Sequence, residues 1–216
     1  MSGGIRTLDP GNDGDLLRGI AGGDLGALRD FVDLYQGRVR GLCSRLLSHP
    51  QDAEDVAQDV FFQVYRSAGA FRHDSSVSTW VYRIAVNRCR NFNRDNRKRK
   101  LDGRTLGIAG GPAAPSSDDP ASAISLNETR AVIRNAVDTL PEKQRTMLIL
   151  NKFEGRSYQE IAGILGVSLG SVESCLFRAK KNLQKSLTAA FPNLRLGRKS
   201  GSDPVSKGMP NENERS

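Results

Sequence analysis

From residue 24 to residue 48 the apolar positions recur at steps of three and four: Leu25, Leu28, Phe31, Val32, Tyr35, Val39, Leu42, Leu46 and Leu47. That spacing gathers them on one stripe of a helix. Pro50 closes the stretch. A second helix is expected in QDAEDVAQDVFFQVYRS, where Asp52, Glu54 and Asp55 fall in the first turn and suit the positive end of the helix dipole. Val56, Val60, Phe61 and Val64 continue its inner face. After the polar break RHDSS, a third helix runs through STWVYRIAVNRCRNFNRDNRKRK. The pattern then stops. Residues 101–121 are rich in Gly, Pro, Ser and Asp, bury little apolar surface and read as a flexible linker. Helical periodicity resumes near Ile124 and runs to Leu140, and Pro141 starts a new element. Strand-like alternation with turn signals is absent from the sequence. The expectation is an all-α chain with two small helical domains, 10–100 and 122–191, and a disordered polar tail over 192–216.

Charge narrows the choice of partner. The 216 residues carry a formal net charge of +8 and a pI near 9.7. Such a balance suits phosphates and says nothing about fold. No apolar run approaches the ~20 residues that span a bilayer. The opening MSGGIRTLDPGNDGDLL lacks the charged-then-apolar pattern of a signal peptide. The expected compartment is the cytoplasm, with no membrane contact of the chain's own. Cys43, Cys89 and Cys175 are widely spread, and they read as reduced, inert apolar side chains.

The segment SYQEIAGILGVSLGSVESCLFRAKKNL, residues 157–183, carries the sharpest local pattern. Ser157 is placed to cap a helix, with Glu160 as its capping-box partner. Ile161, Ile164 and Leu165 face inward, and Ala162 leaves room for a crossing helix. Gly166 stands where the chain must turn. Either Ser168 or Gly170–Ser171 then opens a second helix, with Val172, Leu176 and Leu183 buried and Ser171, Glu173, Ser174 and Arg178 outside. Two helices of an ordinary bundle fit the apolar pattern equally well. The short glycine turn, the small alanine and the following RAKK favour a helix-turn-helix on DNA.

The helix of the first domain adds Trp80, Tyr82, Arg83, Asn87, Arg88, Arg90, Asn91 and Arg94. Rings stack on unpaired bases, while Arg and Asn hold phosphates or read base edges. Such a face suits DNA whose strands have been parted. Trp80, Ile84 and Val86 fit a core equally well.

The run DAEDVAQDVFFQVYRSAGAFRHDSSVSTWVYRIAVNRCRNF resembles the second conserved region of bacterial RNA polymerase sigma factors of the extracytoplasmic-function subgroup. LPEKQRTMLILNKFEGRSYQEIAGILGVSLGSVESCLFRAKKNL resembles their fourth region. The order of the two motifs and the linker between them also match. The resemblance implies that the helix Asp52–Arg66 grips core RNA polymerase through Asp52, Asp55, Gln58, Asp59 and Gln63. It implies that Phe71, Trp80, Arg83, Asn87, Arg88, Arg90 and Arg94 read and melt the minus-ten element, with Phe71, Arg83 and Asn87 at a pocket for a flipped base. The minus-thirty-five element falls to Ser168, Gly170, Ser171, Glu173, Ser174 and Arg178. Glu173 and Cys175 stand where the family often has basic residues; Glu still accepts from cytosine N4. Promoter DNA, core polymerase and an anti-sigma factor are the implied partners.

No metal or other cofactor is expected. The acidic cluster of the second helix points in several directions and has no His at ligand spacing. An enzyme is the competing class, but His49 and His73 are isolated and no Ser or Cys has a base in sequence reach. A dimeric helix-turn-helix regulator also competes, and it leaves the Trp80–Arg94 face unexplained. The glycine-rich linker further suggests that few contacts cross between the domains.

Overall fold

In a computed structural model of the chain, residues 13–101, 129 and 131–190 are described. Among them every regular element is helical. They form α1 (Asp13–Ala21), α2 (Leu25–Leu46), α3 (Pro50–Ser67), a single 3-10 turn (Ala68–Ala70) and α4 (Val77–Leu101). The second unit holds α5 (131–138), α6 (Glu142–Lys152), α7 (Tyr158–Leu165) and α8 (Leu169–Ala190). The linker beyond residue 101 and the expected tail over 192–216 lie outside the described residues.

The long stripe becomes α2, with Phe31, Tyr35, Val39, Leu42 and Cys43 at 2% exposure or less. Asp24 caps it, accepting from the Gly26 and Ala27 amides. Pro50 has a different job from the one expected. It opens α3 at a first-turn position, where a missing N–H costs nothing, while α2 has already ended at Leu46. The short, polar α1 was not anticipated. It packs on α2, and Asp13 accepts a 2.6 Å bond from the buried hydroxyl of Tyr35.

The second unit follows its local signals closely. Ser157 accepts from the Glu160 amide, and Glu160 accepts from the Ser157 amide at 2.8 Å, so the capping box is complete. Gly166 takes the left-handed conformation at φ 63°, ψ 42° and stops α7. Ser168 opens α8, accepting from the Ser171 amide at 3.3 Å. Ile161, Ile164, Val172 and Leu176 are buried.

The expectation of few contacts between the two units is not met. Buried residues of both join one continuous core, which runs from Leu17 through Val86 to Met147, Ile161 and Leu176. Polar contacts reinforce it. The Arg156 guanidinium lies 4.1 Å above the Tyr82 ring and donates to Ser78 Oγ at 3.1 Å. Glu154 accepts from Tyr82 Oη at 2.8 Å and pairs with Arg45 at 3.2 Å. Arg145 donates to the Leu46 carbonyl at 3.3 Å, and Arg97 pairs with Glu142 at 3.2 Å. The partners of Arg145 and Arg156 are invisible locally, because only the fold brings α2 and α4 beside them.

The capping box has a measurable weight. Burial opposes ionisation of Glu160, but the Ser157 amide and hydroxyl and the Arg156 guanidinium outweigh it, and the carboxyl sits below its ordinary value. A depressed acid stabilises the fold at pH values above its unfolded pKa, about 4.3 for Glu, and loses that effect as pH falls through the folded value. Ser157→Ala is therefore expected to lower unfolding free energy by about 1 kcal/mol at pH 7. Glu160→Gln should destabilise at pH 7 and converge on wild type below the ordinary Glu range. Urea denaturation across pH checks both outcomes.

Candidate nucleic-acid interface

Three surfaces carry the candidate residues. The first is the outer face of α3. Its inner line, Ala53, Val56, Ala57, Val60 and Val64, is buried, and this turns Asp55, Gln58 and Asp59 to solvent. Asp52 is half-buried. Phe62 and Tyr65 stand on the same outer face, 57% and 43% exposed, with the Arg66 guanidinium 5.6 Å from the Phe62 ring. Sequence reasoning missed both rings. Phe61 takes the half-buried place, and Phe62, one residue on, is rotated outward by about 100°. Gln63 departs from its expected place. Its side-chain oxygen accepts from Arg88 Nη2 at 3.0 Å, so it faces α4 rather than the outer surface.

The second surface is the stripe along α4. Trp80, Arg83, Asn87, Arg90 and Arg94 recur at steps of three and four and so share one side. Trp80 is half-buried, and Arg83, Asn87, Arg90 and Arg94 are exposed. The reverse side, Val81, Tyr82, Ala85, Val86 and Cys89, is core, so α4 serves packing and surface chemistry together. Arg88 is half-buried and committed to Gln63. Arg94 lies 3.4 Å from Asp95.

Phe71 packs 5.3 Å from Trp80 and edge-on to His73 at 4.7 Å. It borders a cavity of about 140 Å³ between α1 and the 3-10 turn. Arg83 and Asn87 do not line that cavity. Arg83 instead reaches the second unit, donating to the Gly163 carbonyl from Nε at 3.2 Å and Nη2 at 2.7 Å. His73 holds φ at 58°, the left-handed region that non-glycine residues rarely enter.

The third surface is the start of α8. Glu173, Ser174, Phe177 and Arg178 line an open groove of about 720 Å³ with Tyr158 and Lys180. Ser168 and Gly170 are exposed and Ser171 is half-buried at the same end. Arg178 folds back on its helix, Nε donating to the Ser174 carbonyl at 3.2 Å. Phe177 is 69% exposed and was also missed. The signal was present: the inner line is Val172, Leu176 and Ala179, and Phe177 falls off it. Cys175 is 6% exposed and faces the core, so it presents nothing to a groove of DNA.

Comparison with known proteins decides the family. The models Sigma-70 region 2 and Sigma-70, region 4 match residues 31–99 and 130–183. RNA polymerase sigma-H factor of Pseudomonas aeruginosa is 35% identical over 180 residues, covering 81% of this chain and 93% of the relative. The chain belongs to the sigma-70 family. ECF RNA polymerase sigma-E factor of Escherichia coli K12 is 32% identical over 177 residues, 80% of this chain and 92% of the relative. Two solved structures share the fold. CnrH, in complex with the cytosolic domain of CnrY, gives a TM-score of 0.61 at 22% identity over 82% of this chain and 98% of that one. The sigma factor RpoE of Bartonella quintana, in complex with the anti-sigma factor NepR, gives 0.56 at 24% identity over 74% and 96%. This is a sigma factor of the extracytoplasmic-function type, the subunit that gives RNA polymerase its promoter specificity.

Electrostatics fit a sigma factor with separate acidic and basic faces. Asp55 and Asp59 stand on α3, while Arg90, Arg94, Arg97, Lys98 and Arg99 line the distal half of α4. No single described helix is long and apolar enough to cross a membrane.

Proposed function

We propose that this sigma factor divides its work among the three surfaces and carries no reaction of its own. The outer face of α3 docks on core polymerase through Asp55, Gln58, Asp59 and the exposed Phe62 and Tyr65. Two exposed rings set among carboxylates fit a protein partner, because the rings supply area and the charges set register. The α4 stripe takes the minus-ten strand, and α8 reads the minus-thirty-five duplex. An anti-sigma factor as partner belongs to the same reading, in keeping with the complexes in which the two structural relatives were solved.

The observation that carries the proposal is the composition of the α8 groove. Glu173 accepts, Arg178 donates and Phe177 offers apolar contact, and all three stand on one open face. Those are the chemistries that tell base pairs apart in a major groove. A solvent-facing ring there has no core to fill, and a thymine methyl is the apolar feature a major groove presents to it.

Replacing thymine by uracil in the preferred minus-thirty-five site removes that methyl and leaves base pairing intact. One contacted methyl should then cost holoenzyme binding about 0.8 kcal/mol, roughly fourfold. Phe177→Ala should weaken binding to the thymine site and lose the discrimination between the two sites. Equal sensitivity of wild type and variant to uracil would remove Phe177 from the reading face.

The α4 stripe makes a different prediction. Bases inside a duplex cannot reach protein groups that hold a flipped base, so those contacts count only after opening. Phe71→Ala and Asn87→Ala should leave holoenzyme binding to duplex promoter nearly unchanged and lower open-complex formation. A pre-melted template should restore Phe71→Ala at least in part. It should not restore Arg178→Ala, whose loss of a base contact is worth about 1–3 kcal/mol in duplex recognition. Permanganate footprinting of unpaired thymines separates the two groups.

A further inference from the structure

The cavity of about 140 Å³ between α1 and the 3-10 turn is walled by the buried Leu17 and Ala68. Gly14 of α1 and Gly69 of the turn also line it, and a Cβ on either would meet nothing within 4 Å. Protein interiors are otherwise close-packed, so open space kept beside a core by two glycines has room for an occupant. The volume is well below the ~300 Å³ at which pockets for drug-sized ligands begin, and it suits one planar group. Phe71 and His73 stand at the cavity with ring centroids 4.7 Å apart, edge-on. Phe71 also packs 5.3 Å from Trp80, so the cavity adjoins the α4 stripe. Among the described residues His73 is the one non-glycine with positive φ, at 58°. Glycine would hold that backbone without strain, whereas histidine adds a ring whose nitrogens donate or accept hydrogen bonds. α1, the far wall, lies outside residues 31–99 matched by the region 2 model.

We propose that this cavity seats one unpaired promoter base against α1, and that His73 is the specificity-determining residue for that base. The inference rests on the minus-ten role proposed above for Phe71 and the α4 stripe. The work divides by chemistry. Stacking on Phe71 is blind to identity, because every base has a π-face. Leu17 and Ala68 supply area and no hydrogen bonds. Choice among bases needs a polar group at the base edge, and the lining offers His73 and Arg18. Arg18 is exposed and paired with Asp15, which suits it to a phosphate beside the seated base. His73 stands next to the stacking ring, so an imidazole nitrogen meets the edge of a base on Phe71. One nitrogen either accepts from an exocyclic amino group or donates to an exocyclic carbonyl. Adenine and cytosine carry the amino group there, and guanine and thymine carry the carbonyl. His73 therefore sorts the bases into those two pairs, regardless of ring size.

The test uses the full-length chain with core polymerase on a pre-melted promoter. Each unpaired minus-ten position carries in turn the four bases and an abasic site. In wild type one position should lose binding roughly tenfold when abasic, the scale of one stacked base. At that position adenine and cytosine should differ severalfold from guanine and thymine. His73→Gly, which keeps the left-handed backbone, should bind the four bases alike and retain the abasic penalty. An unchanged preference in that variant, or a wild-type preference that follows ring size, overturns the assignment of His73. Gly14→Leu fills the cavity from α1. With melting and core binding close to wild type, it should lose binding to the intact bubble roughly tenfold and become indifferent to the abasic site. Gly69→Leu fills the cavity from the turn and gives the same reading if Gly14→Leu does not fold. Wild-type binding and base preference in a folded filling variant overturn the cavity as the seat. A wild type indifferent to an abasic site at every position would remove the base-holding role of the α4 stripe, and the cavity with it.

Discussion

A helix leaves its last carbonyls without partners, and in this chain two of those ends are satisfied from across the boundary between the two helical units. Arg145 of α6 and Asn93 of α4 both donate to Leu46 at the end of α2, and Arg83 of α4 donates to Gly163 near the end of α7. Each unit therefore completes hydrogen bonding that the other leaves open. The apolar core continues through the same boundary, and Glu154, 7% exposed at its side chain, finds Arg45 and Tyr82 waiting in the first unit. Burying that carboxylate would be costly without them. This closure sets which side of α4 is covered and which groups of α7 are spoken for.

α4 is the element under most demand. One side packs Val81, Tyr82, Ala85, Val86 and Cys89 into the core, where Cys89 and Cys43 stand with sulfurs 3.6 Å apart. The Cys43 contact and burial push the Cys89 thiol well above its ordinary value, so Cys89 stays protonated and apolar. Another side carries Trp80, Asn87, Arg90 and Arg94. Thr79 and Arg83 meet α7, and Tyr82 meets Glu154 and Arg156 just before it. Twenty-five residues are long enough for this division, since the side chains of successive turns repeat the same three directions.

Much of the second unit was legible because its signals are local. Ser157, Glu160 and Gly166 act within a few residues of themselves, and the capping box and left-handed stop formed where the letters stood. The apolar stripes of α2 and α3 were legible for the same reason. What escaped depends on residues far apart in sequence. The nine-residue α1 has too few apolar positions to show a period, and it is held by Tyr35 and the core. Phe62 and Phe177 each stand next to an inward apolar neighbour, and a list of hydrophobic positions does not separate such pairs, whereas the helical angle does. Arg88 and Gln63 read as two surface residues with separate partners and proved to be partners of each other. Arg83 read as a group for DNA, and nothing in its own segment announces α7 beside it.

The most direct measurement is the distance between spin labels at exposed sites on the two units, Asp95→Cys on α4 and Lys185→Cys on α8, with the buried native cysteines left in place. Double electron–electron resonance on the free chain should give one narrow distribution. In complex with core polymerase and a duplex promoter, that distribution should move outward by on the order of tens of ångströms. A broad distribution in the free chain, or an unchanged distance on the promoter, would contradict the account.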